Sequence, residues 1–215
     1  FEFGMKGDFF DRRVRLNLAA FTSDYDDKQE EIIQLDNFGG TITVVQNAAT
    51  VNLWGIEAEL NWAATENLVI NANFGYLDAE YDDYVADLNG DGVETDNSSL
   101  ILRRVPEWTG GINGVYTRRI GPGTLSAFAG YRYTDEYWVD ASNNPQGLLD
   151  DRGVIDASIS YEWEWADGRD VTITVFGRDI TDEQNPNSAV IIPGFFSFAG
   201  IAGGEQYGLQ ISGSF

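Results

Sequence analysis

The stretch that decides the fold is "NLWGIEAELNW" (residues 52–62), in which apolar and polar side chains alternate. The apolar positions are Trp54, Ile56, Ala58, Leu60 and Trp62. The polar positions between them include Glu57, Glu59 and Asn61. A period of two predicts a β-strand with one apolar face and one polar face.

The same alternation recurs along most of the chain, and no segment has a convincing helical period. In residues 124–133 only Phe128 breaks the pattern, because it falls on the polar face. We therefore predict an all-β, antiparallel fold. The other clear examples are "LVINANFGY" (68–76), "TLSAFAGYRY" (124–133), "VIDASISYEWEW" (154–165) and "YGLQISGSF" (207–215).

The predicted connections alternate between short and long. Short turns are marked by Gly, Pro, Asn and Asp, and they fall at 7–12, 63–67, 119–123 and 166–170. The long links fall at 27–43, 84–103, 139–150 and 184–205. Hairpins with short turns at one end and long loops at the other are typical of outer-membrane barrels. About nine strands fit this pattern, and we expect an N-terminal portion to be missing before Phe1.

The composition excludes several classes of function. Thirteen Lys and Arg against 35 Asp and Glu give a formal charge of −22, which argues against nucleic-acid binding. The absence of Cys and His excludes disulfides, the usual zinc ligands and a His-based triad. We therefore expect no enzyme activity, no catalytic residues, no metal site and no cofactor.

Two architectures agree with the alternation: a soluble sheet with one wet face, or a membrane barrel with its apolar face toward lipid. The large aromatic residues lie at the ends of the apolar faces, with small residues such as Ala58 and Ala127 between them. Trp54 and Trp62 are eight residues apart, which spans roughly 20 Å on a tilted strand and approaches the apolar thickness of a membrane barrel. This spacing favours the membrane barrel.

The barrel interpretation assigns the aromatic residues to two membrane girdles. The terminal strand adds Leu209 and Ile211 to the lipid face. The expected girdle at the short turns contains Trp62, Tyr116, Trp163, Trp165 and Phe215, and the girdle at the long loops contains Trp54, Tyr76, Tyr131, Tyr133 and Tyr207.

One long link resembles the start of a calcium-binding loop. In "DLNGDGVETDNSS" (87–99) Asp87, Asn89 and Asp91 alternate before Gly92, as the oxygen ligands of a calcium loop do. The twelfth position is Ser98, so the usual bidentate carboxylate is missing. A solvated turn stabilised by Asp and Asn side chains is the favoured alternative.

Two further features are open to more than one interpretation. The polar strand faces carry charges that either keep a lumen hydrated or contact a substrate or another domain, and the first is favoured. The apolar segment 185–204 either reaches a ligand or packs on neighbouring loops, and the second is favoured. The charged residues are Arg13, Arg15, Glu57, Glu59, Glu162 and Glu164.

Several segments together resemble the C-terminal strands of TonB-dependent outer-membrane receptors. "FGRDITDE" departs from the family pattern at Arg178 and Asp179. Each motif is short, whereas their order and spacing over nearly the whole chain are more specific. The segments are "GDFFDRRVRLNLAAFTSDYDD", "VVQNAATVNLWGIEAELNW", "NANFGYLDAEYDD", "RVPEWTGGINGVYTRR", "DASISYEW", "FGRDITDE" and "YGLQISGSF".

The resemblance implies a 22-stranded outer-membrane barrel of which residues 1–215 are the C-terminal part, with the plug domain and earlier strands absent. It implies active import of a scarce nutrient such as a ferric siderophore, driven through TonB acting on the plug. It also implies that the terminal aromatic Phe215 is a signal for the barrel-assembly machinery. The expected partners are outer-membrane lipid, TonB, that machinery and the imported ligand.

Two questions stay open at this point. The ligand is a siderophore, cobalamin or an oligosaccharide, because importers of all three share these strands. The alternative to a transporter is a secreted β-sheet binding module or adhesin without transport activity.

Overall fold

The computed structural model describes residues 1–35, 38, 40–166, 168–192, 196–201 and 203–213, with only the backbone for residues 34, 35 and 166. No helix in these ranges is long and apolar enough to span a membrane. Apart from a short 3₁₀ turn at Pro145–Gly147, the regular elements are β1 (Glu2–Phe9), β2 (Val14–Leu35), β3 (Thr41–Ala63), β4 (Leu68–Ala86), β5 (Thr95–Asp96), β6 (Trp108–Ile120), β7 (Gly123–Thr134), β8 (Tyr137–Trp138), β9 (Leu148–Leu149), β10 (Arg152–Ala166), β11 (Arg169–Arg178), β12 (Pro186–Ile192), β13 (Phe196–Ile201) and β14 (Gln206–Gly213).

Nine of the described strands form one antiparallel sheet in the order β1-β2-β3-β4-β6-β7-β10-β11-β14. Sequential strands pair with each other, so the sheet is a meander with β1 and β14 at its two edges. The small strand β5 pairs with β4, while β8–β9 and β12–β13 form separate two-stranded ribbons. The all-β prediction of about nine strands in an unclosed barrel segment is therefore confirmed.

Short turns join the strands at one end of the sheet, as predicted. The first turn uses the left-handed conformation at Phe10, Asp11 and Arg12, which have φ angles of 54°, 55° and 66°. The turn before β7 places Gly121 at φ 61°, and the turn before β11 places Gly168 at φ 80°. Such angles suit Gly and are tolerated by Asp.

The prediction of a long loop at residues 27–43 is wrong. β2 and β3 continue as a paired ribbon up to Leu35 and Thr41, with a register shift between Tyr25 and Lys28. The acidic run on β2 resembled a loop in the sequence. Its partner strand supplies β-branched residues such as Thr43 and Val44, which favour extended backbone.

The strand register places the predicted apolar residues together on one face. Ile56 pairs with Ala20 on one side and Tyr76 on the other. Ala157 pairs with Ala129 and Gly177. Because directly paired residues share a face, the apolar rows join into one continuous outer face. The polar residues form the opposite, inner face.

Phenylalanine side chains on the inner face lie over glycines of the neighbouring strand. Phe21 pairs with Gly55, and Phe176 pairs with Gly208. A Cβ atom added at Gly208 would lie 2.4 Å from Phe176 Cζ. Each ring thus fills the space that a side chain on the partner strand would occupy, which is a known means of stabilising glycine in a sheet.

At the end of the sheet opposite the short turns, the extended parts of β2, β3 and β4 carry a compact hydrophobic core. The segment between β5 and β6 covers their inner face, and Leu100 and Val105 pack against this core. Its buried members are Ile32, Ala49, Val51, Tyr81, Tyr84, Ala86, Leu102 and Ala141.

We expect Gly55→Ala to lower the free energy of unfolding by about 1–3 kcal/mol, since overpacking forces backbone shifts of this cost. The added Cβ would lie 2.7 Å from the backbone oxygen of Tyr76 and 2.6 Å from Phe21 Cζ. Gly4→Ala is the matched control, because its nearest neighbour is Leu18 O at 3.6 Å. Urea unfolding of the full-length protein measures both. An equal loss of unfolding free energy in the two variants would show that the close contacts of Gly55 with Tyr76 and Phe21 are unimportant for stability.

Candidate functional site

The inner face of the sheet carries a ladder of hydrogen-bonded amide side chains. Asn61 donates to Asn71, and Asn71 Nδ2 donates to Asn113 Oδ1 at 3.1 Å. One row away, Asn17 Nδ2 donates to Glu59 Oε2 at 2.9 Å. These contacts cross β2, β3, β4 and β6, so the polar face is a continuous hydrogen-bonding wall.

The charged residues singled out in the sequence lie on this wall, with one exception. Arg15 forms a bidentate contact with Asp8, at 2.8 and 3.2 Å. Glu162 accepts from Thr172 Oγ1 at 3.4 Å, and Glu164 accepts from Gly168 N at 3.1 Å. Glu57 and Glu59 lie on the same face.

The exception is Arg13, which belongs to the short turns. Its guanidinium donates to the backbone oxygens of Ala63 and Ala64, at 3.1 and 2.6 Å. Arg13 therefore joins two adjacent turns and is not a wall residue.

The outer face brings the predicted girdle residues onto one surface. Toward the long loops, Tyr76 lies between Trp54 and Trp108, with ring centroids 5.1 and 4.5 Å apart. Toward the short turns, Tyr161 and Trp163 stack at 5.6 Å. Trp62, Tyr131, Tyr133, Tyr207, Leu209 and Ile211 share this face through their register.

Two predicted positions differ from the rest. Trp165 lies at the register shift between Glu164 and Ala166, where it is 70% exposed. Phe215 lies outside the described residues, so its role in assembly stays a prediction. The alternation of the sequence did not reveal Trp108, because the glycines at positions 110 and 114 interrupt the apolar face of β6.

The loop at 87–98 forms a self-contained turn. Asp87 accepts hydrogen bonds from the backbone N–H groups of Gly90 and Gly92, both at 2.8 Å. Burial raises the pKa of Asp87, but these hydrogen bonds outweigh it and leave the pKa below its ordinary value. Asp91 accepts from Val93 N at 2.8 Å. The carboxylates thus bind the loop's own backbone, and no group of potential metal ligands was found among the described residues.

The apolar segment 185–204 contains the ribbon β12–β13. Ile191 is buried against Val139 and Leu149 of neighbouring loops, so this part packs on other loops as favoured in the sequence analysis. On the second strand, Phe198 and Ile201 are 58% and 69% exposed. Pro193, Gly194 and Phe195 lie outside the described residues.

A buried ion cluster fastens the segment before β6 to the extended part of β2. Glu30 is fully buried and forms ion pairs with Lys28 and with Arg103, whose Nε lies 3.1 Å from Glu30 Oε2. Tyr81 donates its hydroxyl to Glu30 Oε1 at 2.7 Å. Burial, together with the hydrogen bond to Glu30, raises the pKa of Tyr81. Burial also raises the pKa of the stacked Tyr84.

Below this cluster the inner face opens into a cavity of about 560 Å³. Its lining includes the apolar residues Leu53, Leu77, Ala79 and Leu102, together with Lys28. The cavity is thus bounded by the sheet on one side and by the segment before β6 on the other.

Three arginines gather on the inner face near the long loops and line a second cavity of about 420 Å³. Arg132 pairs with Asp156 at 3.0 Å, and Arg152 pairs with Asp179 at 3.5 Å. Arg178 lies over the Phe176 ring, 5.2 Å from its centroid.

At least one N–H group of these three arginines donates no hydrogen bond within the described residues. Arg152 Nε is buried without a hydrogen-bond partner among the described residues. Asp179 is already engaged, because Oδ1 accepts from Thr181 and Glu183. The sequence analysis noted Arg178 and Asp179 only as a departure from a motif. Their proximity to Arg132 depends on strand pairing.

We expect Glu30→Ala to release the segment before β6, since removing one partner of a buried ion pair leaves an uncompensated charge that costs about 3–5 kcal/mol. Trypsin should then cut after Arg103 or Arg104 at least about tenfold faster, because proteolysis follows the open population. Glu31→Ala, at the exposed neighbouring residue, is the control. The same cleavage rate in both variants would show that Glu30 does not hold the segment.

Comparison with known proteins agrees with this architecture. A family model described as TonB dependent receptor-like, beta-barrel matches residues 1–180. The siderophore receptor PiuA from Acinetobacter baumannii has 22% identity and a TM-score of 0.71, covering 99% of this chain and 27% of that chain. The ferric yersiniabactin uptake receptor FyuA from Yersinia pestis has 17% identity and a TM-score of 0.72, covering 100% of this chain and 29% of that chain.

The chain therefore spans less than a third of the length of these two receptors. At these identities the structural similarity shows a common fold. The family consists of outer-membrane receptors of Gram-negative bacteria that act in transport and not as enzymes. Since the family model matches most of its residues, the chain belongs to the TonB-dependent receptors and forms part of their outer-membrane β-barrel.

Proposed function

We propose that this chain is the C-terminal part of a receptor that imports a ferric siderophore through the outer membrane. The observation that carries the proposal is the division of one sheet into an uncovered apolar face and a continuous polar wall. Such a division suits a barrel with lipid outside and water inside. The two receptors described above are named for siderophore and ferric yersiniabactin uptake, which supports this class of ligand.

The rest of the transport cycle belongs to the same proposal. A plug domain outside this chain would fill the lumen and couple ligand release to TonB. The polar wall supplies amides and charges that a moving plug would contact. Because the wall is polar, movement of the plug would not expose apolar surface of the wall to water. Outer-membrane lipid and the barrel-assembly machinery are the remaining proposed partners.

The three arginines favour an anionic ferric chelate over a neutral oligosaccharide. Guanidinium groups bind carboxylate and other oxyanions in a bidentate manner. Arg178 has no ion pair within the described residues and is exposed toward the cavity. The many acidic loop residues weaken this attraction only where they lie within about 8–10 Å, the screening length in physiological salt.

A secreted binding module or adhesin is not favoured. Large apolar residues of the outer face are open to solvent, among them Ile159 at 58%, Val175 at 59% and Leu209 at 65% exposure. A contiguous apolar surface of this kind is unusual in a soluble protein.

The orientation of the faces is tested by placing a charge on each. Ala127 and Ser126 are adjacent on β7, on the outer and inner faces. In the full-length receptor we expect Ala127→Arg to cost about 2–4 kcal/mol of unfolding free energy, as near a bilayer midplane, and Ser126→Arg to be nearly neutral. Equal costs in lipid vesicles would refute the lipid-facing orientation.

The ligand assignment is tested by Arg178→Gln in the full-length receptor. Uptake of a radiolabelled anionic ferric siderophore should show an affinity weaker by about tenfold, corresponding to the loss of one charge-assisted hydrogen bond. Arg119→Gln, a lumen-side control far from the cavity, should leave the affinity unchanged. Unaltered affinity in Arg178→Gln would refute the ligand contact, whereas absence of uptake by the parent would refute the proposed function.

A further inference from the structure

Basic side chains concentrate at the short-turn end of the sheet. Of the 13 lysines and arginines in the chain, six lie in the short turns or within three residues of them. In outer-membrane barrels this end faces the periplasm. The six are Arg12, Arg13, Arg15, Arg118, Arg119 and Arg169.

Two of the six project from the apolar outer face. Arg118 pairs with Leu125, which in turn pairs with Tyr161. Arg169 begins β11 and lies two residues before Val171, the partner of Trp163. Arg119 follows Arg118 in sequence but pairs with Thr124, and it therefore lies on the inner face.

Neither outward arginine has an acidic partner. Both are exposed, and the described residues contain no carboxylate within ion-pair distance of either guanidinium. Glu162 and Glu164, the acidic residues of β10 at this end, lie on the inner face. Among the described residues, the positive charge of these two side chains on the outer face is therefore uncompensated.

Aromatic rings fix the depth of these arginines in the membrane. Tyr161 and Trp163 both lie on β10, which is between β7 and β11 in the sheet, and they stack with each other. The Tyr161 hydroxyl donates to Ile120 O at 2.8 Å, which holds the ring beside the turn. Tyr and Trp prefer the boundary between acyl chains and headgroups, so the guanidinium groups lie at the level of lipid phosphates.

We propose that Arg118 and Arg169 bind the phosphodiester groups of anionic phospholipids in the periplasmic leaflet. A guanidinium matches two phosphate oxygens with two parallel hydrogen bonds. The residues are separated by three strand spacings of about 4.8 Å each, so each arginine binds its own headgroup. Tyr161 and Trp163 would cover the acyl chains between the two lipids.

This inference rests on the proposed lipid-facing orientation, which Ala127→Arg tests separately. The experiment uses native mass spectrometry of the full-length receptor, released from micelles containing either phosphatidylglycerol or phosphatidylcholine. The parent should retain phosphatidylglycerol preferentially. Arg118→Gln combined with Arg169→Gln should weaken this retention by about thirtyfold, the effect expected for losing two basic residues at a charged membrane surface.

Arg119→Gln is the matched control, since it removes the same charge from the inner face at nearly the same position, and it should retain the lipid. Arg118→Lys with Arg169→Lys should retain most of the binding, which separates loss of charge from misfolding. If the double Gln variant does not assemble, each single Gln variant should show a partial loss. Undiminished retention in the Gln variants, or an equal loss in Arg119→Gln, would overturn the proposal.

Inorganic phosphate provides a second arm of the test. The melting temperature of the parent should rise with phosphatidylglycerol and stay constant with phosphate at the same concentration. An equal rise with phosphate alone would show that the arginines bind free anions and not lipid.

Discussion

The register between neighbouring strands is the constraint on which every other property of this sheet depends. Backbone groups in a membrane must all be paired, and side chains alternate between faces with a period of two. A slip of one residue between β3 and β4 would move Glu57 and Glu59 to the outer face and Ile56 to the inner face. The polar wall, the aromatic rows and the outward arginines therefore share one cause.

The same alternation explains how much of the fold could be predicted from the sequence. The faces around Trp54 and Trp163 were predicted because each strand carries its own pattern. The extension of β2 and β3 was not predicted, because an acidic strand in water has no apolar face that the alternation of the sequence would reveal. The arginine group and the Glu30 cluster depend on residues far apart in sequence, such as Arg132 with Asp156 and Glu30 with Arg103. Local patterns carry no information on such pairs.

Glycine has a part in this sheet that composition alone does not reveal. Phe21 and Phe176 lie on the mostly polar inner face, as Phe128 does, and in isolation they resemble errors in the alternation. Their partners Gly55 and Gly208 provide room for the rings. Each ring thus occupies the space left by the missing side chain of its partner glycine.

The buried cluster at Glu30 also has a consequence for the way in which the outer segments move. A loop held by exposed contacts loosens gradually, because water replaces each contact as it breaks. Lys28, Arg103 and Tyr81 all contact the fully buried Glu30, so a partial displacement of the segment would leave a buried charge without a partner. We therefore expect the segment before β6 to be either docked or released as a unit, without stable intermediate positions.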